Sequence, residues 1–170
     1  MIGHESTHGY DDQGSKFDAY GNNHNWWTDA DRAKFEARTQ KLVDQFDAYE
    51  PLPGKHVNGR LTLGENTADL GGLNAAYDAL QIALRKNPKE AREKIDGYTE
   101  DQRFFIAFAR VWSGSILPKA QEVRLNVDPH APAQYRAIGP PSNMPQFAHA
   151  FGCKAGDPMV RDGDERVTIW

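Results

Sequence analysis

The sequence contains one cysteine, Cys153, among its 170 residues. No internal disulfide can form, although a lone cysteine does not identify the compartment. The sequence also lacks an apolar run long enough to span a bilayer, so we expect no membrane contact by this segment. Acidic residues outnumber basic ones by 24 to 20, which gives a formal net charge of −4. This balance disfavours nucleic acid and anionic membranes as partners.

The chain has neither internal repeats nor a low-complexity linker. Its length fits one domain with a substantial core, and its 39% hydrophobic and 26% charged residues are typical of a soluble globular protein. No signal peptide is recognisable.

Residues 4–8 read HESTH, an instance of the HExxH pattern. On a helix, positions i and i+4 share a face, so His4 and His8 can reach one metal ion. Glu5 follows the first histidine and can act on a metal-activated water. Two imidazoles and one carboxylate base are the groups needed to hydrolyse an amide. Because such a short pattern also arises by chance, the rest of the chain decides its meaning.

Only three residues precede His4, whereas a zinc-binding helix needs a turn or two before its first ligand for support. We therefore expect residues 1–170 to form a single C-terminal zinc-peptidase subdomain, a fragment of a longer protein.

Hydrophobic spacing and capping residues predict a mainly α fold with few or no strands. The first helix carries both histidines and ends near Gly9. The further predicted helices run from a Thr28 cap to about Tyr49, from a Thr62 cap to about Lys86, from Asp101 to about Trp112 behind a Thr99 cap, from Lys119 to Leu125, and from Met144 to Phe151 behind an Asn143 cap.

The remaining segments read as irregular structure. Residues 10–25 form a loop rich in Asp, Gly and Asn, and Trp26 and Trp27 then staple the next helix. The chain is loop-rich again between Leu125 and Asn143. The tail over residues 152–170 is irregular, with a candidate edge strand at Val167–Trp170.

A catalytic zinc usually has three protein ligands, so the HESTH segment needs one more. Carboxylates, other histidines and Cys153 are all candidates. Glu65 is the best, because it opens the long third helix and Asp69 lies on the same face one turn later. Asp69 could then accept the free ring N–H of a ligand histidine. The alternative is that both acids form a solvated helix face. Gly71 and Gly72 follow at once and favour close packing against the first helix.

The motifs together resemble the neprilysin family of zinc metallopeptidases, peptidase family M13, which includes endothelin-converting enzyme and bacterial oligopeptidases. The likeness spans essentially the whole chain. It rests on GHESTHGYDD at 3–12, NG at 58–59, LGENTADLGG at 63–72, FF at 104–105, RVW at 110–112, DPHAP at 128–132, YR at 135–136, Phe147, FGC at 151–153 and the terminal Trp170.

The resemblance implies a fold, a cofactor and a role for each matching residue. The fold would be the C-terminal part of a thermolysin-like (gluzincin) catalytic domain. One zinc ion per chain would be bound by His4, His8 and Glu65.

The resemblance also assigns the chemistry. Glu5 would be the general base of a zinc-dependent endopeptidase that hydrolyses oligopeptides by metal-activated water attack, and Asp69 would orient a ligand histidine. His130 and Arg136 would stabilise the oxyanion and bind the substrate backbone, which suits an imidazole and a guanidinium. Without the family likeness, His130 would read as part of a surface turn and Arg136 as a surface cation.

The chain departs from the family pattern in two ways. Ser6 and Thr67 replace residues that are usually apolar, and we expect a small stability cost there. The chain also has no counterpart of the N-terminal region, which carries the substrate-binding edge strand and the covering lobe. The alternative is therefore a zinc-binding but catalytically inactive C-terminal fragment that associates with a partner or with itself through the surface left by the missing part. The likeness implies an extracytoplasmic parent protein, either periplasmic, secreted or a membrane-anchored ectodomain.

Overall fold

The computed structural model describes residues 1–169, and that range contains helices but no strand longer than a single bridge. The helices are α1 (Ile2–Thr7), α2 (Asp29–Asp47), α3 (Leu63–Lys86), α4 (Glu100–Val111), α5 (Pro118–Val127), α6 (Ala133–Ser142) and α7 (Pro145–Phe151). Short 3₁₀ turns occupy His8–Tyr10, Gly14–Lys16, Glu90–Arg92 and Gly163–Glu165. The mainly α prediction is confirmed. The predicted edge strand is wrong over residues 167–169, and Trp170 lies outside the described residues.

Helix α3 is the central element, and α1, α2 and α6 pack against it. Its buried face continues into a single hydrophobic core with α2, α4, α6 and the C-terminal tail. The buried core residues are Phe35, Leu42, Val43, Phe46, Val57, Leu63, Leu70, Leu73, Tyr77, Phe105, Ala131, Tyr135, Met144, Val167 and Ile169.

The caps of α2 and α4 follow the sequence prediction. Thr28 accepts a hydrogen bond from the Asp31 backbone N–H, and Thr99 forms a full capping box with Gln102. The side chain of Thr62 does not cap α3, because its hydroxyl donates to the Asn58 carbonyl and accepts from the Asn66 amide.

Helix α6 was not predicted, because prolines flank it and Pro140 and Pro141 lie inside its last turn. Tertiary packing overrides their poor helix propensity. Gly139 lies against the Phe46 ring, where a Cβ would approach to 2.7 Å. Gln45 on α2 donates to the Gly139 carbonyl. The contacts to α2 therefore hold this short helix in place.

Asn143 is the C-cap of α6 and does not cap the last helix, which was the prediction. Its side chain is buried, donates to Gln45 and Gly139, and accepts from the Val167 backbone N–H. The residue therefore fastens the C-terminal tail to the core, and α7 begins at Pro145 instead.

Helix α1 is only six residues long, and its docking on α3 depends on glycine. A Cβ on Gly72 would lie 2.5 Å from the His4 backbone nitrogen, so only glycine permits this approach. The prediction that the glycine pair allows close packing against the first helix is confirmed for Gly72. Gly9 does not end the helix as predicted, because α1 passes directly into the 3₁₀ turn at His8.

Among residues 1–169, no helix combines the length and the apolar character needed to cross a membrane.

Candidate metal centre

Three side chains from α1, the following turn and α3 point their donor atoms at one spot. His4 Nε2 lies 3.1 Å from His8 Nε2 and 3.3 Å from Glu65 Oε2, and His8 Nε2 lies 3.5 Å from Glu65 Oε1. A tetrahedral zinc with bonds of about 2.0–2.1 Å separates its ligand atoms by roughly 3.3–3.4 Å. The three observed separations lie close to this spacing, with the two histidines meeting different oxygens of Glu65.

The other nitrogen of each imidazole is held by its own carboxylate. His4 Nδ1 lies 2.8 Å from Asp69 Oδ1, and His8 Nδ1 lies 2.7 Å from Asp11 Oδ2. A carboxylate only accepts hydrogen bonds, so both Nδ1 atoms carry the proton. Two Nε2 lone pairs would then face each other at 3.1 Å, which is repulsive unless a proton or a metal cation lies between them. The donor chemistry therefore fits a metal ion.

The hydrogen bond to Asp69 also affects the charge state of His4. That bond, aided by the charges of Asp69 and Glu65, holds the pKa of His4 above its ordinary value, although burial and Arg136 oppose the shift. Metal binding and protonation therefore compete for the same nitrogen.

Asp11 was not singled out by sequence reasoning. Its second oxygen accepts hydrogen bonds from the backbone N–H groups of Gln13 and Gly14, so the carboxylate is fixed on both sides. The signal that could have found it is simple: each ligand histidine needs a partner for its outer nitrogen, and Asp11 is the first carboxylate after His8.

Arg136 on α6 joins the acidic groups of α3. Its Nε and Nη2 donate to the two oxygens of Asp69 at 2.7 and 2.9 Å, and Nη2 also lies 3.2 Å from Glu65 Oε2. The residue is 6% exposed, so the sequence reading of a surface cation does not describe its environment. The Arg136 guanidinium thus links Asp69, which holds His4 Nδ1, to Glu65, the third candidate ligand.

His130 approaches from the loop before α6. Its Nε2 lies 3.3 Å from Glu65 Oε2, and its Nδ1 and backbone N–H both bind Asp128 Oδ1, at 2.8 and 2.9 Å. Partial burial acts to raise the pKa of Asp128, but the hydrogen bonds from His130 outweigh it and hold that pKa below its ordinary value.

Glu5 follows His4 on α1, and its side chain is exposed. Within residues 1–169, the one convergent set of metal-ligating atoms is His4, His8 and Glu65. Cys153, the alternative third ligand, lies after α7 and is not part of that set. His24, His56 and His149 are exposed, as the sequence indicated.

A cavity of about 670 Å³ opens beside this cluster. Arg136 and His130 line it, together with residues of α5 and of the segment after α4. Trp112 belongs to that segment, and the Arg136 guanidinium carbon lies over its ring, 4.1 Å from the centroid. The volume of the cavity falls within the range typical of small-ligand sites.

The model of the family described as "Peptidase family M13" matches residues 1–167. The chain belongs to peptidase family M13. The match covers every residue of the cluster and the three cavity residues described above, Trp112, His130 and Arg136.

Similar proteins are known from animals and bacteria. An endothelin-converting enzyme homolog from Locusta migratoria is 44% identical over 94% of this chain, and human endothelin-converting enzyme 1 is 43% identical over all of it. The chain spans 22% of the length of both relatives.

Solved structures share the fold. Zinc metalloprotease Zmp1 from Mycobacterium tuberculosis, solved with an inhibitor, superposes with a TM-score of 0.93 at 43% identity, covering 99% of this chain and 26% of that one. PepO from Lactobacillus rhamnosis gives 0.83 at 37% identity, covering 99% and 25%. The chain therefore shares the helical fold of about a quarter of each of these two solved chains.

Proposed function

We propose that this chain carries the zinc site and catalytic residues of a zinc-dependent endopeptidase that hydrolyses oligopeptides. The observation that carries the proposal is the convergence of two Nε2 lone pairs and one carboxylate at close to tetrahedral spacing, with both Nδ1 atoms tied to carboxylates. Membership of the M13 family favours zinc, one ion per chain, over other divalent ions that this ligand set would accept.

His4, His8 and Glu65 would hold the ion. When bound, zinc supplies a Lewis acid that lowers the pKa of water and polarises a carbonyl. Glu5, next to the first ligand, would take the proton from the attacking water and deliver it to the departing amine. Its exposure suits this task, because a general base must meet solvent and substrate.

Arg136 would donate to the substrate through Nη1. Of its five N–H groups, those on Nε and Nη2 contact Asp69 and Glu65, whereas Nη1 has no hydrogen-bond partner among the described residues. Because Arg136 borders the cavity, this nitrogen can meet the backbone of a bound peptide. His130 would add a second donor to the developing oxyanion through Nε2 when both ring nitrogens carry a proton, because Asp128 holds the proton on Nδ1.

The alternative is a zinc-binding fragment that is inactive alone and associates with a partner or with itself. Exposed apolar side chains favour it. Met1, just before α1, and Ile2, its first residue, are 81% and 87% exposed, and Val123 and Val127 of α5 are also exposed. Under either reading, residues 1–170 act as one C-terminal zinc-peptidase subdomain of an extracytoplasmic parent protein.

The test measures zinc content by mass spectrometry and turnover of an internally quenched oligopeptide on the same purified sample. Glu5→Gln should keep zinc and lose about 10²–10⁴-fold in kcat, because it removes only the base. Glu36→Gln is the matched control, because Glu36 is also an exposed glutamate but lies on α2. This variant should change neither the zinc content nor kcat. Zinc without turnover in the wild type would favour the inactive fragment, and full turnover by Glu5→Gln would overturn the catalytic assignment.

A further inference from the structure

Trp112 lies at the end of α4, and the Arg136 guanidinium carbon lies over its indole ring. The guanidinium carbon is 4.1 Å from the centroid of the indole, well inside the range of a cation–π contact. Arg136 is 6% exposed, so the contact is made away from water, where such an interaction is strongest. The two residues come from different helices, so the contact also links α4 to α6.

The indole is itself held by packing. Phe108, one turn earlier on α4, meets it edge to face with ring centroids 6.1 Å apart. The indole Nε1 is buried and has no hydrogen-bond partner among the described residues. The feature that Trp112 contributes at this position is therefore its ring face rather than its N–H.

Arg136 is thus constrained in two independent ways. Asp69 and Glu65 take one edge of the guanidinium and fix its rotation within its own plane. Carboxylates at one edge restrain the tilt of that plane only weakly, and the indole ring 4.1 Å from the guanidinium carbon limits it further. The guanidinium nitrogen that remains without a hydrogen-bond partner among the described residues is Nη1, and Arg136 is one of the residues that line the cavity.

We propose that Trp112 is a positioning residue that sets the tilt of the Arg136 guanidinium so that Nη1 faces the substrate. The proposal rests on the proposed function, in which Arg136 contacts the peptide. Trp112 would then affect the substrate indirectly, by orienting Arg136, in addition to lining the cavity.

The deciding experiment is hydrogen exchange of the Arg136 Nε–H, followed by NMR on the full chain labelled with ¹⁵N-arginine and ¹⁵N-phenylalanine. Trp112→Leu should accelerate this exchange by about tenfold, because the loss of a buried cation–π contact frees the side chain. Trp112→Phe, which retains a ring face, should stay near the wild-type rate.

Two controls separate positioning from general loosening. The Phe46 backbone amide, in the centre of the core, should exchange at an unchanged rate in Trp112→Leu. Trp27→Leu breaks the chain's other cation–π pair among the described residues, that of Trp27 with Arg32, and should leave the Arg136 Nε–H rate unchanged. An Arg136 rate that Trp112→Leu does not alter, or that rises only in step with Phe46, overturns the proposal.

Peptide turnover supplies a second readout by a double-mutant cycle. Trp112→Leu should lower kcat/KM about tenfold in the wild-type background and have almost no effect in Arg136→Met. An equal loss in both backgrounds would mean that Trp112 acts only as a cavity wall, which overturns the proposal. The exchange measurement needs no turnover, so it decides the role of Trp112 even where Glu5→Gln disproves the catalytic function.

Discussion

Thr67 is completely buried on the second turn of α3, and its hydroxyl oxygen has no hydrogen-bond partner among the described residues. The sequence indicated a small stability cost here, because the family pattern has an apolar residue at this position. The structure gives the reason, since a buried polar group without a partner loses its hydration and gains nothing in exchange.

Thr67→Val should therefore stabilise the chain by about 1 kcal/mol, because it removes the orphaned hydroxyl and keeps the shape. Thr39→Val is the matched control, since Thr39 is buried on α2 but its hydroxyl donates to the Glu36 carbonyl. Urea denaturation measures both variants. A Thr67→Val chain no more stable than Thr39→Val would contradict the argument.

Sequence reasoning at this scale found the residues that lie one helical turn apart in the chain. His4 with His8, and Glu65 with Asp69, are each four residues apart. It did not find the bond of Arg136 to Asp69, because 67 residues separate them and only the packing of α6 on α3 brings them together. Nor could the prolines around His130 reveal that Asp128 holds its ring.

The docking of α1 on α3 is the contact between elements on which the metal centre depends. Helix α1 carries His4, α3 carries Glu65, and the two backbones touch at Gly72. A six-residue helix has little stability of its own, so its position comes from this contact.

Gly72→Ala should weaken zinc affinity by at least about tenfold, because the new methyl group would push the His4 backbone away and misplace a ligand. Gly9→Ala is the control, because a Cβ there meets no atom within 4 Å. Competition with a chromophoric chelator measures both affinities. Equal affinities in the two variants would show that α1 adjusts without loss.

The α3–α4 contact includes a buried phenol. Tyr77 donates a hydrogen bond to Asp101, and burial, together with that carboxylate, raises the pKa of Tyr77 to about 12. The folded state thus favours the neutral phenol. Its contribution to stability is fully present below the ordinary pKa near 10 and is lost as pH rises from about 10 through 12.

Tyr77→Phe should therefore make the chain's stability less sensitive to alkaline pH over that window. The measurement is the free energy of unfolding at pH 9 and at pH 11.5, with Tyr20→Phe, which alters a tyrosine 90% exposed, as the control. If the free energy of unfolding fell equally between pH 9 and pH 11.5 in the Tyr77→Phe and Tyr20→Phe chains, Tyr77 would not be the cause of the alkaline loss.

The helices that could be predicted have strong local signals. The Thr99–Gln102 box and the apolar stripe behind it define α4 without tertiary information. Helix α6 has the opposite character, because its Gly-Pro-Pro end reads as a break and only the buried Gln45 and Phe46 of α2 make it helical.

At the scale of the whole molecule, the metal centre joins the start of the chain to its middle and to α6. A bound ion should therefore stabilise the entire fold. With free zinc at about a thousand times Kd, the expected gain is about 4 kcal/mol, or roughly 10 °C in Tm for a chain of this size.

Calorimetry with and without a chelator measures this effect. Added Zn²⁺ should restore the Tm, whereas Mg²⁺ should not, because it prefers oxygen ligands. Cys153→Ser should keep the full zinc-dependent shift, and Glu65→Gln should lose most of it. If Cys153→Ser lost the shift and Glu65→Gln kept it, the third ligand would be Cys153 and not Glu65.

The carboxylates around the two ligand histidines have a consequence for which ion can reside there. Asp11, Asp69 and Glu65 contribute three formal negative charges and Arg136 one positive charge, which leaves −2 around two neutral imidazoles. A divalent cation brings this sum to zero, whereas a monovalent ion leaves an excess anion in a largely buried site and a trivalent ion leaves an excess cation. The guanidinium of α6 thus offsets one of the carboxylate charges around the ion, while the histidines and Glu65 set its coordination geometry.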